Sequence, residues 1–404
     1  MQNYSHPYWL EVPHFTGSLE KPKDAEILIV GSGLSGVSTA YWLQEKGYSN
    51  LLLVDFEAES AASFRNCGHI LYGTVESMQA LTALHGEDVA KKLWSLSIDI
   101  CHEVRDTVSR HKLDAEYKQN GYLVIAIEES EDREIRESIA LLQGHGFANE
   151  YVEQKDLEKK GFRKVFGGRF EPGSAQAHPT KFRNGLLQVC LQRGLRYHSG
   201  VKVLELEELD GRVRARTSPW GDIHAEAAVI AANAYSPLLS SFFQKHRLVE
   251  PYRGQIITSK PLQHQFPVRY PHSFDHGYEY AIVTGDNRLM IGGWRNNTEG
   301  GEVGTYDIGV NPLVDHGLRD FVQEHYAIAE PIEWEFSWSG IMAASKTGFP
   351  FIGPTDSQRI FTCAGYTGHG FSWAHGSAKI LASIINGDAV PEIVREKCNP
   401  KVFT

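Results

Sequence analysis

Three glycines and one acid carry the most definite chemistry in the chain. Gly31-Ser32-Gly33-Leu34-Ser35-Gly36 follows the apolar run Ile27 to Val30, and Asp55 closes a second apolar run, Leu51 to Val54. The acid stands about 20 positions beyond the last glycine, the spacing a dinucleotide-binding turn uses. Each residue type has a physical task there. Gly31 permits the tight turn, Gly33 lets backbone approach a pyrophosphate, and Gly36 lets the following helix lie close to the strand. The free N–H groups of that helix attract phosphate, and the carboxylate of Asp55 accepts hydrogen bonds from ribose hydroxyls.

The elements that must hold this turn are legible around it. Ile27 to Val30 and Leu51 to Val54 are continuous apolar runs, as in parallel strands buried on both faces. Between them Leu34, Val37, Tyr41 and Leu43 recur at helical spacing, and Gly47 suits the helix end. The pattern predicts a βαβ unit. A small, polar loop follows, Ser60-Ala-Ala-Ser63-Phe-Arg65-Asn66-Cys67-Gly68-His69, whose amides and Arg65 suit a phosphate or an aromatic ring system. Near the other end, Ala364-Gly365-Tyr-Thr-Gly368-His369-Gly370-Phe371 separates the apolar run before it from a helical stretch, Ser372 to Ile385. Its small residues expose a helix N-terminus whose positive end favours negative charge.

The composition limits the alternatives. The 404 residues are 42% hydrophobic and 22% charged, an ordinary globular balance long enough for two domains. A formal net charge of -10 argues against a nucleic-acid partner, which needs a basic face. The five cysteines are irregularly spaced with no CxxC pair, so reduced thiols in a cytoplasmic protein are expected. No apolar run has the length of a membrane span, and the N-terminus lacks the features of a signal peptide. Among the histidines, His272 and His276 form the best local pair, and no metal site is expected from it.

These motifs together resemble the D-amino-acid oxidase, glycine oxidase and sarcosine oxidase family of flavoproteins. The resemblance rests on Ser63-Phe-Arg65-Asn66-Cys67-Gly68, on the returning strand His224 to Ala232-Asn233-Ala-Tyr235, and on Tyr252-Arg253-Gly254-Gln255. It continues through Arg288-Leu-Met-Ile-Gly292-Gly293, Trp338-Ser-Gly340-Ile341 and Gly348 to Pro354, and ends on the Gly365–Gly370 turn. Within it, the likeness is greatest to the gamma-glutamylputrescine oxidoreductases, through Tyr8-Trp9, Ser63 to Gly68, Asn233-Ala-Tyr235 and Tyr280.

The resemblance implies FAD, bound non-covalently, with a histidyl link through His69 as a lesser alternative. It implies an α/β fold, α+β overall, with a GxGxxG Rossmann-like FAD domain interleaved with a mixed-sheet substrate domain. The expected division is an N-terminal arm at 1–23, an FAD domain at 24–80, 171–235 and 343–404, and a substrate domain at 81–170 and 236–342. Cofactor contacts are expected from Gly31 to Gly36, Asp55, Phe56, Ser63, Arg65 to His69, Val203, Ala232, Asn233, Gly340, Ile341 and Gly368 to Phe371.

The implied reaction oxidises an amine or amino acid through the flavin, with O2 or another acceptor taking the electrons. Tyr280, Trp338 and His369 are the expected catalytic residues, and Tyr252, His276, Tyr278, Trp294 and Arg295 the expected substrate contacts. The oligomeric state is left open. The sequence departs from the family in three ways. The stretch Ala343 to Pro350 has Lys346 but no arginine to hold a substrate carboxylate. No cysteine stands near Ile341 or Met342 to anchor the flavin, and Met290 occupies the place of an oxygen-activating lysine. The first departure favours an amine, or an acid held by Arg295.

Overall fold

A computed structural model describes residues 6–11, 20–22 and 24–404 of the chain. The aromatics of the N-terminal arm, Tyr8, Trp9 and Phe15, suggest that it packs against the body; Phe15 falls outside the described residues. Trp9 in the arm packs as expected: it is buried, donates its indole N–H to the Asn66 carbonyl at 2.6 Å, and meets Tyr8 edge to face.

The chain builds two large sheets. The first is ordered Phe351–Pro354, Ile360–Ala364, Gly221–Ile230, Ala25–Val30, Leu51–Asp55, Arg196–Ser199. Its centre is parallel, with Ile29 beside Val229 on one side and Leu53 on the other. Strands in such a position are covered on both faces, which is why they read as unbroken apolar runs. The hairpin Lys202–Leu209 and Arg212–Ser218 attaches to Gly221–Ile230, its turn made by Asp210 and Gly211 at positive φ. Helices Leu34–Glu45, Pro179–Gln192 and Gly370–Ile385 contribute to one large core against this sheet.

The second sheet runs Trp334–Ser345, Val249–Ser259, Leu289–Gly292, Glu279–Val283, His272–Phe274, Tyr122–Ala126, Gly167–Glu171, Glu150–Glu153. It is antiparallel except where His272–Phe274 lies parallel to Tyr122–Ala126. Alternation divides its central strands into two faces. Ile257, Phe274, Ala281 and Ile291 pack against Val314, Leu318 and Phe321 of helix Pro312–His325. Ile256, Ile282, Met290 and Trp338 instead meet Trp9 and Cys67, on the side toward the first sheet's loops.

The chain thus passes repeatedly between the sheets, as the interleaved plan requires. Two of the expected boundaries, near residues 170 and 342, fall inside the strands Gly167–Glu171 and Trp334–Ser345. The helix Glu87–His111, expected with the substrate domain, packs Trp94 and Ile100 into the first sheet's core. Gly376 permits this, since a Cβ there would lie 2.8 Å from Ile100. No helix among the described residues is long and apolar enough to cross a membrane.

Candidate cofactor and active site

The glycine turn is built as a cradle that side chains would fill. Gly31 has φ +104, and a Cβ there would lie 2.7 Å from the Ala231 carbonyl oxygen. A Cβ at Gly36 would lie 1.7 Å from the Gly31 oxygen, so helix Leu34–Glu45 packs onto the turn only through glycine. Gly33 stands at the N-cap without a side-chain cap of its own, and the Leu34 N–H donates to Ser63 Oγ at 2.8 Å. Asp55 holds the turn from the neighbouring strand: its carboxylate accepts the N–H of Ser32 and, at 2.9 Å, that of Glu57. A carboxylate has further lone pairs to offer to ribose hydroxyls. Phe56 beside it is exposed, with Lys202 over its ring, and Val203 is buried on the adjoining strand.

A residue that sequence reasoning missed lies beneath this turn. Arg183, on helix Pro179–Gln192, is 1% exposed. Its Nε donates to the Ser32 carbonyl at 2.8 Å, Nη2 to Ser32 Oγ at 2.9 Å, and Nη1 to Asn184 Oδ1 at 2.8 Å. Its one legible sign was a cation on the buried face that Leu187 and Cys190 share at helical spacing.

The Ser63–His69 loop is tied to the second sheet more than to itself. Arg65 donates to the carbonyls of Glu59 at 2.9 Å and Ser339 at 2.8 Å, with Gly340 leaving room for its stem. The expected use of Arg65 against phosphate thus meets a guanidinium already engaged with backbone carbonyls. Ala61 bridges Ile341, and Asn66 receives the Gly68 N–H at 2.8 Å. Cys67 is fully buried, which pushes its thiol pKa far up. His69 faces the Ala281 carbonyl with Nε2 at 3.1 Å; burial lowers its pKa to about 3, so the ring is neutral with its proton on Nε2.

The C-terminal turn closes the same region. Asn233 Oδ1 accepts the Gly365 N–H at 2.9 Å, linking the returning strand, past Ala232, to the turn. Ser35 Oγ, on the first helix, reaches the Cys363 carbonyl at 2.7 Å and Tyr366 OH at 2.8 Å. Gly368 has φ +84, and His369 precedes helix Gly370–Ile385, whose N-terminus has no side-chain cap. Phe371 is buried against Phe182. Burial lowers the pKa of His369, leaving it neutral.

The expected substrate residues separate by sheet face. Tyr252, Tyr278 and Tyr280 are brought together with Arg295. The Arg295 guanidinium lies 4.5 Å from the Tyr252 ring centre and 5.3 Å from that of Tyr278, and donates to the Gly301 carbonyl at 3.1 Å. Among the described residues no carboxylate pairs with it. Tyr252 OH would lie 3.5 Å from a Cβ at Gly368, and Tyr280 OH 3.5 Å from one at Gly254. Tyr280 also meets His69 edge to face at 6.1 Å. These residues form an aromatic wall against the C-terminal turn.

The others do not join it. Trp294 was expected there, but Gly293 at φ +126 and Trp294 at φ +62 turn its ring onto Gly317 of helix Pro312–His325. His276 was expected there too, but it sits in a surface turn and pairs with Glu134 at 3.2 Å. Trp338, expected to be catalytic, is fully buried and donates its indole N–H to the Arg65 carbonyl at 3.1 Å. It supports the loop from beneath. His272 is buried against Tyr326 and apart from His276, and no cluster of three metal-ligating residues exists among the described residues.

The cradle, the acid at Asp55 and the two helix N-termini whose N-cap residues make no side-chain cap fit a dinucleotide held at its pyrophosphate, with a ring system against the Tyr252–Gly368 region. Comparison with known proteins agrees. The chain is 24% identical over 375 residues to the "Probable oxidoreductase OrdL" of Haemophilus influenzae, covering 92% of this chain and 85% of that protein. It is 22% identical over 409 residues to a D-amino acid dehydrogenase of Neisseria meningitidis, covering 90% and 96%. Its fold matches the glycine oxidase of Bacillus cereus with a TM-score of 0.77 at 18% identity, over 92% of this chain and 99% of that one. The family model described as FAD dependent oxidoreductase matches residues 26–384, and the chain therefore belongs to that family of FAD-dependent oxidoreductases.

Proposed function

We propose that the protein oxidises the C–N bond of a primary or secondary amine, of polyamine or gamma-glutamyl-amine type, to an imine that water hydrolyses. FAD, when bound, supplies the acceptor for a hydride equivalent from the carbon beside nitrogen. The relatives that act on D-amino acids or glycine support CH–NH chemistry in general.

The observation that carries the reading is the tyrosine wall beside the C-terminal turn. Burial raises the pKa of Tyr252 to about 12 and that of Tyr280 further, so both remain protonated hydrogen-bond donors at neutral pH. An aromatic, desolvated wall disfavours an ammonium ion and so helps the substrate nitrogen lose its proton. His69 and His369 are neutral, so neither adds a fixed positive charge.

Lys346, the cation in the stretch where the family carries an arginine, donates to the Phe403 carbonyl at 3.2 Å. Arg295 is then the cation available to a carboxylate. It suits a substrate whose carboxylate lies away from the reacting nitrogen, as in a gamma-glutamyl amine. The second reading, a glycine, sarcosine or D-amino-acid oxidase, would use the same Arg295 for a carboxylate on the reacting carbon.

O2 is the proposed acceptor, reduced to H2O2. Met290 is buried against the Trp338 cluster and offers no charge to oxygen, which favours a slow oxygen step and admits another acceptor. The five cysteines are free and buried, in keeping with a reducing cytoplasmic setting. Product analysis tests the reading. Ammonia or an amine released with an aldehyde from a polyamine or gamma-glutamyl amine supports it, a 2-oxo acid (glyoxylate included) or formaldehyde from an amino acid or N-methyl amino acid supports the second reading, and no carbonyl product from either class contradicts both.

A further inference from the structure

We infer that Arg183 completes the pyrophosphate site from behind, as a buried cation acting through the Ser32–Gly33 peptide. The FAD turn has no lysine or arginine of its own between Gly31 and Gly36. Arg183 reaches it from a helix about 150 residues away in sequence, so the turn's charge is supplied by tertiary structure.

Two features set this arginine apart from a structural one. First, it is 1% exposed, and among the described residues it pairs with no carboxylate; its partners are Ser32, Asn184 and the rings of Phe64 and Tyr197. A desolvated cation with no carboxylate bonded to it is costly, so an anion on the far side of the turn should add to what Asp55 and the Tyr197 hydroxyl supply through space and by hydrogen bond. Asp55 attracts the guanidinium through space, but its carboxylate bonds to the N–H of Ser32 and Glu57 and not to Arg183. Second, Arg183 grips the one carbonyl whose peptide carries the Gly33 N–H. A donor on that carbonyl polarises the peptide and makes the N–H a stronger donor. Gly33 is the N-cap of the helix whose N-terminus serves the phosphates.

Arg183 is therefore a positioning residue. It orients Ser32 and strengthens the turn's donors, while its charge is balanced once pyrophosphate is bound. Without an anion the same charge penalises the fold, which couples cofactor binding to stability.

The test compares Arg183→Gln, which retains hydrogen bonding without charge, with Arg183→Lys, which retains charge. The probes are FAD, followed by quenching of its fluorescence, and ADP and adenosine, followed by calorimetry. Arg183→Gln should weaken FAD and ADP by about 10- to 100-fold and leave adenosine unchanged, because only the first two carry pyrophosphate. Its apoprotein should melt no lower than the parent's, and its ADP affinity should depend less on salt. Arg183→Lys should recover most of the loss. Equal weakening of adenosine and ADP, or a lowered apoprotein melting temperature with unchanged Kd values, would overturn the proposal. If Arg183→Gln does not fold, Arg183→Lys decides: an ADP Kd within about fivefold of the parent supports the charge role, and a larger loss overturns it.

Discussion

Trp338 donates its indole Nε1–H to the carbonyl oxygen of Arg65 at 3.1 Å, while Arg65 donates back to the carbonyl of Ser339, the next residue along the strand, at 2.8 Å. This reciprocal pair fastens the loop beside the glycine turn to the sheet that carries the tyrosine wall. The glycine turn and the tyrosine wall are thereby held in one frame. Trp338→Phe removes one donor and leaves the buried Arg65 carbonyl short of a partner. Chemical denaturation should show a loss of about 1–3 kcal/mol, with weaker FAD retention. Unchanged stability and retention would make the pair incidental.

Gly36 offers a sharper steric test. A Cβ there would lie 1.7 Å from the Gly31 oxygen, on backbone that cannot move without opening the turn. Gly36→Ala should yield protein that is colourless or poorly folded, a cost of about 3 kcal/mol or more. Absorbance of the purified variant, set against the parent, reads this directly.

Arg295 discriminates between substrate chemistries. Arg295→Gln should lower kcat/KM for carboxylate-bearing substrates by about 10- to 150-fold, the worth of a charged hydrogen bond. Amines without a carboxylate should change little. Equal losses for both would mean that Arg295 acts through the Tyr252 and Tyr278 rings it packs between, without touching substrate.

Glu279 predicts a pH dependence. It is 1% exposed, its Oε1 accepts the Trp294 N–H at 3.1 Å, and its Oε2 has no partner among the described residues. Burial first, then repulsion from Asp275, raises its pKa to about 8. Above the ordinary glutamate range the unfolded chain loses this proton while the native protein keeps it. The native state then binds more protons, so stability falls as pH rises from about 4.5 to 8. Glu279→Gln should flatten that slope and stabilise the protein at pH 8 by an amount on the order of a few kcal/mol. A slope unaltered in the variant would mean that Glu279 is ionised in the native state.

How much of this was legible follows from the range of each interaction. The βαβ unit was, because its apolar runs, glycines and acid are local and mutually consistent. The side taken by Tyr280 was too, since alternation puts it on the face of Ile282, whereas Tyr278 stands just before that strand in helical backbone. Trp294 was not: the same alternation was broken by positive φ at Gly293 and Trp294, which sends the ring to the opposite face. His276 was lost to a turn whose geometry no periodicity encodes. Arg183 was missed for another reason. Its partner Ser32 is distant in sequence, and an arginine on a helix ordinarily faces water. Trp338 lies under the Ser63–His69 loop, and its full burial, which no sequence pattern encodes, makes it a support of that loop.

The central claim is that this chain binds FAD and passes electrons to it from an amine. The most direct measurement is anaerobic mixing of the FAD-loaded protein with polyamines, gamma-glutamyl amines and D- or N-methyl amino acids, followed at the flavin band near about 450 nm. The account predicts that the band bleaches with at least one amine, and with gamma-glutamyl amines faster than with D-amino acids. A band that persists with every amine and amino acid, in protein shown to hold FAD, would contradict it.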